Sequence, residues 1–582
     1  MVQKEQFLYE ELNTFSKLGG LKRSIPNFIK ENLNQKFPLR PYQNEAFSRF
    51  FYYIDNYPER KTPIHLMFNM ATGSGKTIIM AGLILYLYER GYRNFLFVVH
   101  LDNIIKKTID NFLNNISSKY LFNDRIEFNN KEIKINKVDN FQVTNNEDIN
   151  ICFTTIQKLR SDLYIEKENS ITFEDFKNKK LVILSDEAHH GQVQTKQKEL
   201  FEENKLNWEN TILRVFNQNI NNLLLEFTAT IDLSHKEIEK KYKDKIIYKY
   251  DLKDFRNDGY SKEINILQAD LDRKDRMLVA ILLNQYKQDI AGKYGLNLKP
   301  IILFKAQKTI EQSKQNKLLF HELIEKLSKT EINRIKNRTD IKEMKKVFFF
   351  YEKEDVSIDL LIKKLKVNFA ENKCLSVNDE SEKEKYQLLI NSLEDKDNQI
   401  RAIFAVQKLN EGWDVLNLFD IVRLYETRDA RYGQAGKTTI AEAQLIGRGA
   451  RYCPFKISEE QERYKRKYDK DIENDLRILE ELHYHSLSES RYISEITKAL
   501  VEEGLMDEKT VEKPLRLKDS FKKSSFYKNG VIYINKRAEK DYSKVKSFAD
   551  LGVKDRDFQY NLFSMKERLQ KHLPMKITII CK

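Results

Sequence analysis

Short apolar segments rich in β-branched and aromatic residues alternate along the chain with segments whose apolar residues recur at helical spacing. In the first half, the apolar segments are residues 65–70, 95–100, 149–155 and 181–187. Such alternation is typical of a parallel sheet whose two faces are covered by helices. The pattern therefore predicts an α/β lobe in this part of the chain.

The same alternation begins again after a polar segment at residues 251–263. Its strand-like segments are residues 300–306, 347–352, 400–406 and 420–426. The long charged segments among them keep a helical spacing of apolar residues, which predicts lobe helices with some insertion. We therefore expect a second α/β lobe in tandem with the first.

The length of 582 residues exceeds what one hydrophobic core usually supports. We expect an N-terminal helical extension at 1–36 and the first lobe at 37–255. The second lobe is expected at 256–457, with a helical insertion at 308–399, and a charged linker helix with a basic C-terminal region at 458–582.

Charge is unevenly distributed. The chain has a net charge of +14, and residues 511–582 contain 18 basic against 8 acidic residues. A basic region of this kind suits a phosphate backbone, although a solvated surface would give the same count. No stretch of about 18 uncharged apolar residues occurs, and the first residues do not resemble an export signal. We expect a cytoplasmic protein with no membrane partner.

The four cysteines lie far apart and form no CxxC pair, which argues against a zinc site or a disulfide framework. Reduced, mostly buried thiols are the simpler interpretation. Cysteine chemistry therefore gives no indication of function.

Residues 71–77 (ATGSGKT) follow one apolar strand and precede a helical segment. Glycines let backbone N–H groups approach phosphate oxygens, and the amino terminus of the helix adds positive potential. A lysine here would reach the β and γ phosphates of ATP, and the hydroxyl after it would hold Mg²⁺. Met70 replaces the first glycine of the strict phosphate-loop pattern. The predicted ATP-binding residues are Thr72, Gly73, Ser74, Gly75, Lys76 and Thr77.

An acidic pair, Asp186 and Glu187, ends the strand-like segment at 181–187. Asp186 would bind Mg²⁺, directly or through water, and Glu187 would orient the water that attacks the γ phosphate. His189 and His190 follow, but adjacent residues at a strand end point apart, so a metal site there is not expected.

Asp186-Glu187-Ala188-His189 resembles the DEAH box of superfamily 2 helicases, and further motifs of that superfamily follow in order. The resemblance implies two tandem RecA-like P-loop lobes that hydrolyse ATP between them. It also implies that Gln43, in LRPYQ, contacts adenine, and that Thr228 and Thr230, in TAT, couple hydrolysis to lobe movement.

In the second lobe, residues 411–414 (EGWD) resemble motif V, which assigns Asp414 to the nucleotide site. Residues 444–451 (QLIGRGAR) resemble motif VI, whose catalytic residues would be Gln444, Arg448 and Arg451. A planar guanidinium group spans two phosphate oxygens and can stabilise charge that develops during phosphoryl transfer. The two arginines match the arginine fingers of the superfamily.

Thr154 and Thr155, at the end of the segment 149–155, look like the first-lobe motif that grips the sugar–phosphate backbone. A threonine pair at a strand end also serves structural purposes, and this alternative stays open. Trp413 could stack on a base, but beside a tight turn it is better explained as core.

The surroundings of the motifs, such as FNMATGSGKT, LSDEAHH and AQLIGRGARYCPF, resemble the Res subunit of type III restriction enzymes. That family implies DNA as the partner, a DNA methyltransferase (Mod) subunit, and a nuclease domain after the lobes. Residues after Phe455 lack the paired acids and lysine of such a nuclease, since Asp507-Glu508-Lys509 has the wrong spacing. Two alternatives therefore stay open: the chain is a truncated or split Res subunit, or it is a motor without a nuclease of its own.

Other functions remain compatible with the sequence. One is a stand-alone helicase, on DNA or RNA, or a defence translocase that works with a separate nuclease. Another is a nucleic-acid-binding protein that uses ATP as a switch without turnover, although Glu187, Arg448 and Arg451 would then have no purpose. A transporter or metabolic P-loop enzyme would not need the second-lobe motifs.

Overall fold

The computed structural model describes residues 6–99, 102–165, 171–177, 179–186, 210–231, 233, 235–307, 309–338, 340–378, 386, 389–390, 392–406, 415–426, 436–508, 519–529, 557–561 and 576–580. The chain divides into two compact units, Met1–Glu508 and Lys509–Lys582. The larger unit contains two parallel sheets, each covered by helices, as the α/β pattern predicts.

The first sheet is built from seven parallel strands in the order β5-β6-β2-β7-β8-β1-β9. Two short strands between β2 and β5 in sequence, β3 and β4, form a separate antiparallel pair. The strands are β1 (Ile64–Met70), β2 (Asn94–Val99), β3 (Ile126–Phe128), β4 (Lys131–Ile133), β5 (Ile135–Lys137), β6 (Ile149–Thr155), β7 (Leu181–Asp186), β8 (Leu223–Thr228) and β9 (Ile246–Tyr250).

Helices cover this sheet, and the helix after β1 is buried along nearly all of its length because its residues are apolar on every side. The described helices of this lobe and of the segment before it span Leu8–Lys17, Asn27–Asn32, Pro41–Asp55, Lys76–Glu89, Asp102–Leu113, Ile156–Tyr164, Glu174–Lys177 and Lys236–Tyr242. The helix Leu252–Asn257 then leads to the second sheet.

The second sheet has six parallel strands in the order β10-β15-β14-β11-β13-β12. They are β10 (Glu263–Ala269), β11 (Ile301–Lys305), β12 (Cys374–Val377), β13 (Ala402–Ala405), β14 (Leu418–Arg423) and β15 (Glu481–Leu487). The described helices span Arg273–Lys293, Ile310–Glu325, Lys329–Lys336, Lys342–Lys353, Ile358–Asn368, Lys437–Gly449 and Ser490–Glu502. The helix Arg273–Lys293 crosses the middle of this core and is mostly buried.

The strand predicted at residues 347–352 is wrong, because these residues belong to the helix Lys342–Lys353. Met344, Val347, Phe348 and Tyr351 are all buried, and their spacing of three and four residues matches one face of a helix. The run of phenylalanines favours a strand locally, but burial of this face against the long central helix decides the conformation.

The linker helix expected after residue 457 is also absent: residues 456–474, all of which the structure describes, contain no α-helix. Here Arg466 donates hydrogen bonds to the carbonyl oxygens of Ser261 and Arg256, at 2.6 and 3.1 Å. Residues 456–474 are thus held by hydrogen bonds to the segment between the two sheets, and not by the backbone hydrogen bonds of a helix. A 3₁₀ helix, Asp475–Glu480, leads into β15, so the second sheet includes residues beyond 457.

The described residues of the smaller unit form two short helices, Asp519–Lys522 and Ser525–Asn529. It also contains two antiparallel strands, β16 (Asp557–Asn561) and β17 (Lys576–Ile580). Across the described residues, none of the helices is both long enough and apolar enough to cross a membrane.

Candidate nucleotide site

The phosphate-binding loop, residues 71–75, connects β1 to the buried helix that begins at Lys76. Gly73 and Gly75 adopt φ values of +82° and +80°, which residues with a Cβ rarely tolerate. The loop therefore turns tightly at both glycines and ends at the amino terminus of the helix. Unpaired N–H groups and the helix dipole make such a terminus attractive to phosphate.

Residues of the Pro41–Asp55 helix hold this loop from one side. The Tyr42 hydroxyl and the Gln43 Nε2 group both donate to the carbonyl oxygen of Ser74, at 2.9 and 2.8 Å. Gln43 Oε1 accepts a bond from the Arg40 backbone N–H at 2.9 Å. A Cβ at Gly75 would lie only 2.5 Å from Gln43 Nε2. Gln43, for which the sequence predicts an adenine contact, thus supports the loop directly.

The polar groups of the loop suit a triphosphate. Among the described residues, the Ser74 Oγ atom is buried with no hydrogen-bond partner. The Lys76 Nζ donates to the carbonyl oxygen of Met70 over a long 3.4 Å, a bond that a phosphate oxygen could replace. Lys76 is buried, so its charge acts in surroundings where electrostatic interactions are strong.

Asp186 and Thr228 lie at the same edge of the sheet as this loop. The strand β8 runs between β7, which ends at Asp186, and β1, with Asn69 opposite Thr228. Because the three strands are parallel, their carboxyl ends meet at one edge. The buried Thr228 Oγ1 accepts from the Thr230 N–H at 3.3 Å and donates to the Thr230 carbonyl at 2.8 Å. The Thr228 side chain therefore fixes the turn of the TAT segment, at the end of the strand that lies between β1 and β7.

Thr154 and Thr155 are buried at the end of β6. Thr154 Oγ1 donates to the carbonyl oxygen of Thr155 at 3.1 Å, and Thr155 Oγ1 caps the next helix by accepting from the Lys158 N–H at 3.2 Å. Both hydroxyls thus have partners within the chain. A contact with the sugar–phosphate backbone stays a prediction.

Several predicted residues lie outside the described residues: Glu187, His189, His190, Trp413 and Asp414. In the described part of the chain, no group of His, Cys, Asp or Glu side chains is arranged to hold a metal ion. Thr77, the second residue of the Lys76–Glu89 helix, and Asp186 are described and lie at the same edge of the first sheet. Binding of Mg²⁺ by these two residues stays a prediction.

Motif VI lies on the helix Lys437–Gly449 and just after it. Gln444 and Arg448 are four residues apart and share one face of the helix. Gln444 is exposed and hydrogen-bonds to Glu503, whose pKa is raised by burial. Gln444 thus faces the end of the Ser490–Glu502 helix, and Arg448 is half-buried.

Arg451 reaches the first lobe. A Cβ placed on Gly73 would lie 3.4 Å from Arg451 Nε and 3.5 Å from Arg451 Cδ, so this side chain packs on the phosphate-binding loop. Arg451 itself is buried. The structure therefore brings a second-lobe guanidinium group against the phosphate-binding loop.

A buried carboxylate fixes the helix that carries motif VI. Glu442 accepts hydrogen bonds from Arg423 Nε at 3.2 Å, from the Tyr425 hydroxyl, and from the Tyr492 hydroxyl at 2.6 Å. Arg423 and Glu442 are almost fully buried. A buried ion pair with further hydrogen bonds has one well-defined geometry, which sets where the helix lies on β14.

Lys107 is a candidate residue that the motif comparison missed. It lies on the helix after β2, close enough to Arg451 for their charges to interact. Lys107 is exposed at the surface, and desolvation by the neighbouring protein together with the charges of Lys119 and Arg451 lowers its pKa. The position of this helix after a strand at the carboxyl edge was the available sequence signal. Lysines on this helix belong among the candidates for phosphate contact.

Two family models and a protein of known family match parts of this chain. A family model described as the type III restriction enzyme, res subunit, matches residues 36–233, and the HI_1054_N model, described as an N-terminal region, matches residues 438–509. A Haemophilus influenzae protein described as a probable type III restriction-modification enzyme HindVIP Res subunit is 39% identical over 448 residues. The match covers 69% of this chain and 86% of the relative.

Two solved structures are similar to this chain at low identity. The DUF1998 helicase MrfA, bound to DNA and AMPPNP, is 13% identical, with a TM-score of 0.46 and coverage of 85% of this chain and 57% of MrfA. Dbp5 of S. cerevisiae, bound to RNA and ADP BeF3, is 13% identical, with a TM-score of 0.41 and coverage of 85% and 94%. On the extent and identity of the match to the Haemophilus relative, this chain belongs to the family of type III restriction enzyme Res subunits.

Proposed function

We propose that this chain is the ATP-hydrolysing motor of a type III restriction-modification system and acts on DNA. The observation that carries the proposal is the contact of Arg451, from the second lobe, with Gly73 in the phosphate-binding loop. An arginine placed there can stabilise the charge that develops on the transferred phosphoryl group. Relative movement of the two lobes would make or break this contact, which couples hydrolysis to motion.

The predicted site residues of the first lobe have distinct roles in the proposed reaction. Gln43 and the loop residues Thr72, Gly73, Ser74 and Gly75 position the nucleotide, and Lys76 binds the β and γ phosphates. Thr77 and Asp186 would hold Mg²⁺, which supplies positive charge at the phosphate oxygens. Glu187 would orient the attacking water.

Coupling residues complete the proposed cycle. Thr228 and Thr230 follow β8, which lies between β1, the strand before the phosphate-binding loop, and β7, which ends at Asp186. A change in the bound phosphates would therefore act directly on these two residues. Asp414 joins the nucleotide site from motif V. Gln444 and Arg448 act from the motif VI helix, and Arg451 enters from its end. The lobes would grip and release nucleic acid in alternation as ATP is bound and hydrolysed.

DNA as the track is supported by charge and family. The net charge of +14 favours a polyanion, and Lys107 places a further cation beside Arg451. The methyltransferase (Mod) partner rests on family membership, and we propose it as the subunit that supplies site recognition. DNA cleavage is not part of the proposal, since the sequence has no recognisable nuclease motif after Phe455.

The direct test is ATP turnover with and without duplex DNA. We expect Lys76→Ala to lose turnover, while Lys30→Ala, an exposed lysine of the same unit, keeps the parental rate. Parental turnover by Lys76→Ala, with DNA present, would show that the loop does not serve hydrolysis. Binding of ATP by the parental chain without any turnover would favour the ATP-switched binding protein.

A second experiment addresses the partner and the track. We expect turnover to rise further when a purified type III methyltransferase subunit and DNA with its recognition site are added together. An RNA duplex of the same length should stimulate less. Equal stimulation by RNA, or by DNA without the methyltransferase, would support a stand-alone helicase instead.

A further inference from the structure

Lys262 has no role in the motifs described so far, yet it is fully buried beside them. Its Nζ atom lies within hydrogen-bond distance of four backbone carbonyl oxygens. These are the oxygens of Leu416 at 2.7 Å, Leu418 at 2.9 Å, Gly449 at 3.1 Å and Arg451 at 2.6 Å. One ammonium group therefore joins the start of β14 to the end of the motif VI helix.

The backbone at Lys262 makes two more contacts with the same region. Ser261 forms an isolated antiparallel bridge with Arg451, and the Lys262 N–H donates to the Ala450 carbonyl oxygen at 2.5 Å. Both the main chain and the side chain of this position thus fix the backbone of Arg451. With its backbone held in this way, the side chain of Arg451 extends toward the first lobe.

Lys262 lies at the end of the segment that connects the two sheets. The segment between the sheets starts at Tyr250 in β9, whose carbonyl oxygen accepts from the Ala71 N–H of the phosphate-binding loop at 2.8 Å. It ends at Lys262, which holds Arg451. A single short segment therefore contacts the loop at one end and the arginine at the other.

The chemistry of the group explains why lysine is needed. Burial of a charge is costly unless hydrogen bonds compensate, and the three N–H donors of an ammonium group can be shared among four carbonyl oxygens. Burial lowers the pKa of Lys262 to about 7, whereas hydrogen bonds from the charged ammonium group to carbonyl oxygens favour the charged form. An apolar side chain would leave all four oxygens without this donor.

We infer that Lys262 is a positioning residue that sets where Arg451 meets the phosphate-binding loop. The inference rests on the proposed function, since it requires Arg451 to act in hydrolysis. The hydrogen bonds of the Lys262 side chain go to backbone carbonyl oxygens of the second lobe, and its Nζ also lies over the ring of Phe419, 4.6 Å from the ring centre. Loss of this side chain should therefore misplace Arg451 and leave the first-lobe nucleotide site intact. A misplacement of about 1 Å can lower a rate by about 10²-fold.

The test compares Lys262→Met with Arg451→Ala and Lys287→Met in DNA-stimulated ATP turnover. We expect Lys262→Met to lower kcat by about 10²-fold, with the KM for ATP and the Kd for a fluorescent ATP analogue changed less than about two-fold. Lys287 is a matched control, because it is also fully buried in the second lobe but bonds to Asp420 and Phe419. Lys287→Met should lower the melting temperature and keep kcat.

A fourth variant guards against a folding failure. Lys262→Gln keeps two N–H donors, and we expect its kcat to fall between those of the parental chain and Lys262→Met. A parental kcat in either Lys262 variant, with Arg451→Ala impaired, would overturn the inference and leave the proposed function standing. A parental kcat in Arg451→Ala would instead overturn the role of Arg451. A raised KM with unchanged kcat in Lys262→Met would also contradict positioning of the arginine.

Discussion

Gly73 of the first lobe and Arg451 of the second are in contact: a Cβ on the glycine would lie 3.4 Å from the Nε atom of the arginine. The contact joins the loop that would bind the phosphates to the group that would stabilise their charge in the transition state. Because the two residues belong to different lobes, a rotation of one lobe against the other would change this distance. The geometry of the proposed site therefore depends on how the two lobes are arranged.

Removal of the guanidinium group gives the first prediction. Arg451→Ala should bind ATP as the parental chain does, while DNA-stimulated turnover falls by a factor on the order of 10³. Equilibrium nucleotide binding and steady-state turnover, measured on the same preparation, separate the two effects. Arg491→Ala, on the exposed side of the Ser490–Glu502 helix, is the control and should turn over normally. Weakened ATP binding with unchanged turnover would contradict the role of Arg451 in hydrolysis.

Alanine substitutions at two glycines with nearly the same φ value distinguish the cost of backbone strain from the cost of a side-chain clash. Gly75 has φ +80°, and a Cβ added to it would lie 2.5 Å from Gln43 Nε2, whereas Gly91 has φ +84° with nothing within 4 Å of the same added atom. Alanine at either position should cost about 1–2 kcal/mol for the left-handed conformation. Only Gly75→Ala should also displace Gln43 and weaken nucleotide binding, measured by titration with an ATP analogue. Equal affinities in the two variants would show that Gln43 does not support the site.

The buried carboxylate of Glu442 should matter more to stability than a surface ion pair. Glu442→Gln leaves the buried Arg423 without its charge partner, and the expected loss is about 3–5 kcal/mol in the free energy of unfolding. Denaturant unfolding measures it. Glu322→Gln breaks an exposed pair with Lys326 and should have no measurable effect. Similar midpoints for both variants would mean that the Arg423–Glu442 pair does not hold the motif VI helix.

Acid stability should report on Asp420, which is fully buried and accepts bonds from Lys287 at 2.9 Å, His485 at 3.0 Å and Asn284 at 2.8 Å. Burial alone would raise the pKa of this carboxyl, but the charge of Lys287 and the bond from His485 outweigh it and hold the pKa well below its usual value. The folded state therefore gains stability above the unfolded pKa of about 3.9 and loses it as the pH falls further.

The measurement is the stability difference between the parental chain and Asp420→Asn across pH 3 to 7. This difference should be constant above about pH 5 and shrink as the pH falls below about 4. A difference that stays constant through this acidic range would show that Asp420 is not held in its charged form.

The sequence predicted much of the site because its chemistry is local. A strand, a glycine-rich turn and a helix at residues 64–89 follow from neighbouring residues alone, and so does Asp186 at the end of a strand. The strand expected at 347–352 was wrong because helical burial outweighed local propensity. Lys262 could not be found in this way, since its four partners are carbonyl oxygens, which every residue has, brought together only by the fold.

The order of strands in the second sheet has a consequence for synthesis on the ribosome. All strands of the first sheet lie between Ile64 and Tyr250, so this lobe can complete its pairing as soon as that stretch has emerged. In the second sheet, β10 is an edge strand whose neighbour is β15, and β15 is translated last. The nascent second lobe therefore waits with β10 unpaired, and an interruption of translation before residue 487 would leave that edge exposed to other chains.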